Sequence, residues 1–256
     1  MNANASVQVA ARPARAAAAT AAPHAARLAA LDWAQLGREL DSAGAALLPA
    51  LLSSPQCLQL RDSYAREELF RSRIVMQRHG FGRGEYQYFR YPLPTLIEQL
   101  RTQLYVPLAR IANRWCEVLD TDLRYPETHV EFLARCHAAG QRRPTPLLLR
   151  YGPGDYNCLH QDLYGEHVFP LQATVLLSAP SQDFEGGEFA LTEQRPRAQS
   201  RVEVVSLRQG DAVIFPVHHR PVKGARGLHR VNMRHGVSRV RDGERFTMGI
   251  VFHDAT

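Results

Sequence analysis

At Pro144 the sequence changes texture. Downstream, short strand-like runs follow one another: Leu147 to Tyr151, Val168 to Leu177, Glu188 to Leu191, Val202 to Leu207, Ala212 to Phe215 and Phe246 to Phe252. Turn residues such as Gly186-Gly187 and Gly210-Asp211 separate them. Runs this short, this numerous and this often broken by glycine predict a sandwich or jelly-roll barrel. Upstream the period is helical. Leu28, Leu31, Leu36 and Leu40 mark one helix, and Ser53-Ser54-Pro55 opens a second that runs to about Phe70. Leu96, Leu100, Leu104, Leu108, Ile111 and Trp115 stripe a third, with Pro107 as a kink, and a fourth covers Glu127 to His137. The glycine- and aromatic-rich stretch from His79 to Phe89 reads as a hairpin or mobile loop. Helices on one side of a barrel make an α+β domain. The expected division is a disordered Ala-rich leader over 1–27, a mainly helical support region over 28–143 and a barrel core over 144–256, with 28–256 as one structural unit.

The charge is more informative by place than by size. The formal net charge is +6, but Lys223 is the only lysine, so arginine abundance is a compositional bias and a single arginine carries little weight. Residues 1–30 hold 15 alanines, Arg12, Arg15 and Arg27, and no acid. That leader lacks the compact apolar segment of a secretory signal. Between Ala212 and Arg241 there is again no acid, while Arg220, Lys223, Arg226, Arg230, Arg234, Arg239 and Arg241 bring +7. No apolar run approaches the roughly 18 residues of a membrane span. Cys57, Cys116, Cys136 and Cys158 are too widely spaced for a zinc knuckle or redox motif, which predicts free thiols and a soluble, cytoplasmic protein.

Chemistry concentrates in two places. Tyr151-Gly152-Pro153-Gly154-Asp155-Tyr156 leads into His160-Gln161-Asp162. On an extended chain, positions i and i+2 point to the same side, so His160 and Asp162 can share one metal ion. By itself His-x-Asp is weak, and a third ligand is needed. The second place is His235-Gly236-Val237-Ser238-Arg239-Val240-Arg241-Asp242-Gly243-Glu244-Arg245, a histidine ten residues before an arginine. From Arg245 onward, alternation puts Arg245, Thr247, Gly249 and Val251 on one face and Phe246, Met248, Ile250 and Phe252 on the other. The apolar face suits a core, and its opposite suits an anion pocket.

These motifs, together with Phe184-Glu185-Gly186-Gly187-Glu188 and Gly210-Asp211-Ala212-Val213-Ile214-Phe215, resemble the Fe(II)/2-oxoglutarate-dependent dioxygenases, in particular the prolyl-4-hydroxylase-like branch. The likeness extends over roughly residues 145–254. It implies a double-stranded β-helix, or jelly roll, with Fe(II), 2-oxoglutarate and dioxygen as cofactors and ascorbate as a further candidate. It also implies His160, Asp162 and His235 as metal ligands, whose coordination on one face of an octahedral ion leaves positions for cosubstrate and oxygen. Arg245 then matches the base for the distal 2-oxoglutarate carboxylate, where a planar guanidinium suits a bidentate anion. Thr247, Tyr151 and Tyr156 match positions around that pocket. His229, six residues upstream of His235, competes for the distal ligand role but lacks the ten-residue spacing to Arg245.

The expected function is hydroxylation of a small-molecule or peptide substrate, with release of succinate and carbon dioxide. The alternative is oxidative demethylation of alkylated nucleic acid by the same chemistry. The signature from Arg234 through Asp254 resembles a little-characterised bacterial oxygenase family linked to damaged DNA. The acid-free block, and the arginines and aromatics near Phe81, Arg83, Tyr86, Tyr88 and Arg90, offer what phosphate contacts and base stacking need. A third reading is a non-enzymatic metal-binding regulator. It leaves the joint presence of three ligands and Arg245 unexplained, as does zinc hydrolysis.

Overall fold

The computed structural model describes residues 24–195, 197–224 and 227–256. The expected leader falls largely on 1–23, which lie outside the described residues, as does Arg226. Helices α1 (His24–Ala29), α2 (Trp33–Ala43), α3 (Ser54–Asp62), α4 (Thr95–Val118) and α5 (His129–Ala138) all precede residue 144. The region between them also contributes β1 (Ala46–Leu48), β2 (Phe70–Val75), β3 (Gly82–Arg83) and β4 (Glu85–Phe89). Then follow β5 (Leu147–Tyr151), β6 (Tyr156–His160), β7 (Leu171–Leu176), β8 (Phe184–Gly186), β9 (Phe189–Gln194) and β10 (Arg201–Val205). The chain closes with β11 (Ala212–Pro216), β12 (His219–Gly224), β13 (Gly227–Val237), β14 (Val240–Gly243) and β15 (Arg245–Ile250).

Local chemistry explains the helix boundaries. Asp32 accepts from the Gln35 amide at 2.9 Å and starts α2 afresh, so the expected single helix from Leu28 is two, α1 and α2. Capping boxes of Ser53 with Gln56 and of Thr128 with Glu131 open α3 and α5. The second helix does not reach Phe70. It ends at Asp62, passes through two 3-10 turns, and gives way to β2, where Phe70 packs on Phe89 with ring centroids 4.7 Å apart. Phe70–Val75 carries an aromatic and two β-branched residues, and pairing with β4 uses them better than another helical turn. The stretch from His79 to Phe89 includes β3 and β4, and β4 is hydrogen-bonded on both sides, to β2 and β5.

One seven-stranded sheet runs β1-β11-β7-β15-β5-β4-β2; a second runs β10-β9-β13-β6-β3, with β12 on β13; β14 and β8 form a third ladder. The helical layer covers the first sheet. Leu100, Leu104 and Leu108 of α4 join one core with Leu148, Phe246, Met248 and Ile250 from that sheet's outer face. A second core lies between the sheets and includes Tyr151, Leu191, Val213, Phe215 and Met233. The fold is therefore the expected α+β jelly roll. Its N-terminal region adds strands to both sheets, so backbone hydrogen bonds cross the expected boundary at 144.

Candidate active site

The cavity between the sheets encloses about 200 Å³. At its centre the register decides everything: His235, near the end of β13, stands directly opposite His160 at the end of β6. Residues 75 apart in sequence thus place their rings 4.1 Å apart, centroid to centroid. Asp162 follows in the irregular segment after β6. Nε2 of His160 lies 3.5 Å from Asp162 Oδ1 and Nε2 of His235 lies 3.3 Å from Oδ2. Ligand atoms of the three residues lie within 4.8 Å of one another, and they form the one such group among the described residues.

The surroundings set the ligand atoms. His160 donates from Nδ1 to the Cys158 carbonyl at 2.8 Å, which leaves Nε2 with a lone pair for a metal. Burial alone would raise the Asp162 carboxyl, but the two histidines outweigh it and hold the group well below the carboxylate range. Burial and the His160 charge lower His235, whereas Asp162 raises His160 against its burial. Two neutral donors complete the carboxylate: Tyr164 Oη at 2.6 Å on Oδ1 and Gln172 Nε2 at 2.9 Å on Oδ2. Two imidazoles and an anionic oxygen make a donor set suited to a ferrous ion.

The buried cation of the cavity wall is Arg245. Only 2% of it is exposed, and its Nε and Nη1 have no hydrogen-bond partner. Burial pulls its pKa down to about 10, so it stays charged at neutral pH. A buried cation without an anion costs several kcal/mol, and the cavity in front of it has room for a carboxylate. Gly187 explains part of the Phe-Glu-Gly-Gly-Glu motif: at φ +62° a Cβ there would stand 2.7 Å from Arg245 Cδ. Tyr151 lies beneath the guanidinium, with the ring centroid 5.5 Å from Cζ. Thr247, Gly249 and Val251 face the cavity with Arg245, while Phe246, Met248, Ile250 and Phe252 face the helical core, as the alternation predicts.

The chain matches, over residues 84–255, the Oxygenase-NA family, described as an oxygenase catalysing oxidative methylation of damaged DNA. It belongs to that family. An uncharacterized protein of Mycobacterium tuberculosis is 50% identical over 167 residues, spanning 65% of this chain and 72% of that protein. Among solved structures, a Pseudomonas putida prolyl-4-hydroxylase aligns at 14% identity over 88% of this chain and 100% of its own, with a TM-score of 0.50. A 2OG-Fe(II) family oxidoreductase from Burkholderia pseudomallei aligns at 16% identity over 89% and 94%, with a TM-score of 0.51. The α-ketoglutarate-dependent epimerase SnoN from nogalamycin biosynthesis gives 16%, 88%, 83% and 0.54. These likenesses show the double-stranded β-helix fold. By its family this chain is an oxygenase, and so an oxidoreductase.

One sequence expectation sits differently in space. Tyr156 does not line the cavity; Asn157 does, and its Nδ2 lies 3.4 Å from Tyr151 Oη. The cause is a bulge: Val237 pairs Asn157 and His235 pairs His160, so three steps on β6 oppose two on β13, and the simple alternation fails. His229 lies six residues along β13, about 20 Å at strand rise, with its ring against Gly224 in the β12–β13 hairpin. Of the basic block, Arg220 is buried on Glu193, and Lys223, Arg230 and Arg234 are exposed. His219 opens β12. Tyr164 and Gln172 escaped the sequence reading. The signals were present: Tyr164 repeats the i+2 step from Asp162, and Gln172 is a lone amide in the apolar run Leu171–Leu176.

Proposed function

We propose that this oxygenase demethylates alkylated bases in DNA, with His160, Asp162 and His235 holding the iron and Arg245 holding the distal carboxylate of 2-oxoglutarate. The observation that carries the cofactor assignment is the pairing, across one cavity, of the three-ligand cluster with a buried guanidinium that has two unpartnered nitrogens. Fe(II) with 2-oxoglutarate and dioxygen supplies the oxidation, yielding succinate and carbon dioxide and placing one oxygen atom on a substrate C–H. On an N-methyl group the product is a hydroxymethyl that releases formaldehyde.

The chain's own residues do the rest. Tyr164 and Gln172 each donate to one oxygen of Asp162 and fix its carboxylate plane. The Cys158 carbonyl fixes the His160 tautomer. Thr247 and Tyr151 flank Arg245 and complete the anion pocket. Tyr86, Tyr88, Phe189 and Phe215 give the remaining wall its apolar character and exclude water from the reacting carbon. Residues 28–256 act as one unit here, because β4 from the N-terminal region supplies Tyr86 and Tyr88. Membership in a family described as acting on damaged DNA supports the substrate class. Hydroxylation of a small molecule or peptide is the competing reading. The described residues contain no helix long and apolar enough to cross a membrane. Four free cysteines support a reducing, cytoplasmic setting. Ascorbate belongs to the proposal as a reductant of the iron.

The test is succinate formation with Fe(II) and 2-oxoglutarate. Stimulation by a methylated oligonucleotide, with formaldehyde released in equal amount, supports the reading. Stimulation by a proline-containing peptide or free amino acids alone overturns the substrate assignment and leaves the cofactor assignment standing.

A further inference from the structure

Residues 70–84 contain Arg71, Arg73, Arg78 and Arg83 and no acid. At the tip of this segment, on the cavity rim, Phe81 is 47% exposed although it also lines the cavity. Its ring stacks on His79, with centroids 5.4 Å apart and planes 22° from parallel. An exposed phenyl is ordinary on a mobile loop, but this one is pinned. Its amide donates to the Met76 carbonyl at 3.2 Å and its carbonyl accepts from the Cys158 amide at 2.9 Å. Met76 is fully buried and anchors the turn. Gly82 presses the backbone onto β6 so closely, at φ +126°, that a Cβ would meet the Tyr156 carbonyl oxygen at 2.3 Å. The ring is therefore held beside the strand that ends in His160, with one face on His79 and much of its surface in water.

From this we infer that Phe81, backed by His79, is the stacking platform for the base next to the one being oxidised. This rests on the nucleic-acid reading given above. An enzyme that oxidises a base must take that base out of the stack, and the flanking base then needs a new partner. A rigid aromatic ring provides one regardless of sequence. Arg78 and Arg83 are exposed on either side of it. Arg83 keeps only a 3.7 Å contact with Asp155, which leaves its guanidinium free to meet a phosphate. A rim built for an acidic peptide would need the cations but not the pinned, stacked ring. Phe81 is thus a positioning residue: it sets where the strand lies and does not touch the reacting atoms.

The experiment uses the full chain with Fe(II), 2-oxoglutarate and a single-stranded oligonucleotide carrying one N-methylated adenine, with 2-aminopurine as its neighbour. Binding to wild-type protein should quench the 2-aminopurine fluorescence as it stacks on the ring. Phe81→Leu, which keeps an apolar side chain at an exposed site, should remove the quenching and raise KM about tenfold or more with a much smaller change in kcat. Phe81→Trp should restore both. If the wild type demethylates the strand and Phe81→Leu keeps its KM within twofold and its quenching intact, the platform is wrong and the demethylase reading stands. If the wild type neither binds nor oxidises the strand, both fall. A KM effect of Phe81→Leu confined to a proline-containing peptide reassigns the rim to peptides and overturns the inference.

Discussion

Arg101 and Arg245 are buried to almost the same degree, 1% and 2% exposed, yet they serve opposite ends. Arg101 rises from α4 into a complete set of acceptors: the Val251 carbonyl at 2.8 Å, the His253 carbonyl at 3.1 Å and Asp254 Oδ1 at 2.8 Å. Asp254 is closed in turn by Tyr91 and His137. This clamp ties the last residues of the chain to the helical layer. Arg245 lies in the barrel with an equally costly charge and no acid to meet it. A buried cation whose partners are all supplied by the protein is structure, while one left short marks the place of a ligand.

Replacing each arginine by methionine breaks or sharpens that contrast. Arg101→Met should give the largest loss of stability, roughly 3–5 kcal/mol in urea unfolding, because it strands the Asp254 carboxylate in the interior. Arg245→Met should leave the ligand-free protein as stable as wild type or more so, and weaken 2-oxoglutarate binding by about 2–5 kcal/mol in calorimetric titration. Equal destabilisation by the two changes would erase the distinction drawn between them.

The clamp also sets the acid limit. Burial lowers His129 to about 3 and His253 to about 4, so the unfolded chain takes up protons on these groups first as pH falls. Their contribution is complete above the unfolded value of 6.5 and drains away as pH drops toward 3. For Asp254, burial opposes ionisation but Arg101 and its hydrogen bonds hold the pKa below 3.8, so its contribution is lost below that value. Thermal melts of the apo protein from pH 7.5 to 4 should show a falling midpoint. A flat profile would mean that His129 and His253 are not buried neutral.

The hydrogen-bond partners of the proposed metal ligands should have smaller effects. Tyr164→Phe and Gln172→Leu should each weaken Fe(II) binding about 10- to 100-fold, read from the weak visible charge-transfer band with 2-oxoglutarate under anaerobic conditions. His235→Ala should abolish the band, whereas His229→Ala should spare it. Thr247→Val should cost least, about 1 kcal/mol in 2-oxoglutarate affinity, the worth of one neutral hydrogen bond.

The sequence by itself determined a good deal. The two faces of β15 were legible because alternation along a regular strand is a local property. So were the His-x-Asp pair and the ten-residue step from His235 to Arg245, whereas the room that Gly187 leaves for Arg245 shows only in the packing. Tertiary structure decided the rest. The β6 bulge that exchanges Tyr156 for Asn157 depends on pairing with β13, a strand some 80 residues away. The strands of the N-terminal region join the sheets because edges were available there, which no local period reports. In a chain whose cations are nearly all arginine, composition does not tell Arg101 and Arg245 apart, and only the step from His235 singles out Arg245. Arg101 finds its acceptors 150 to 153 residues downstream, and only packing reveals that Arg245 finds none.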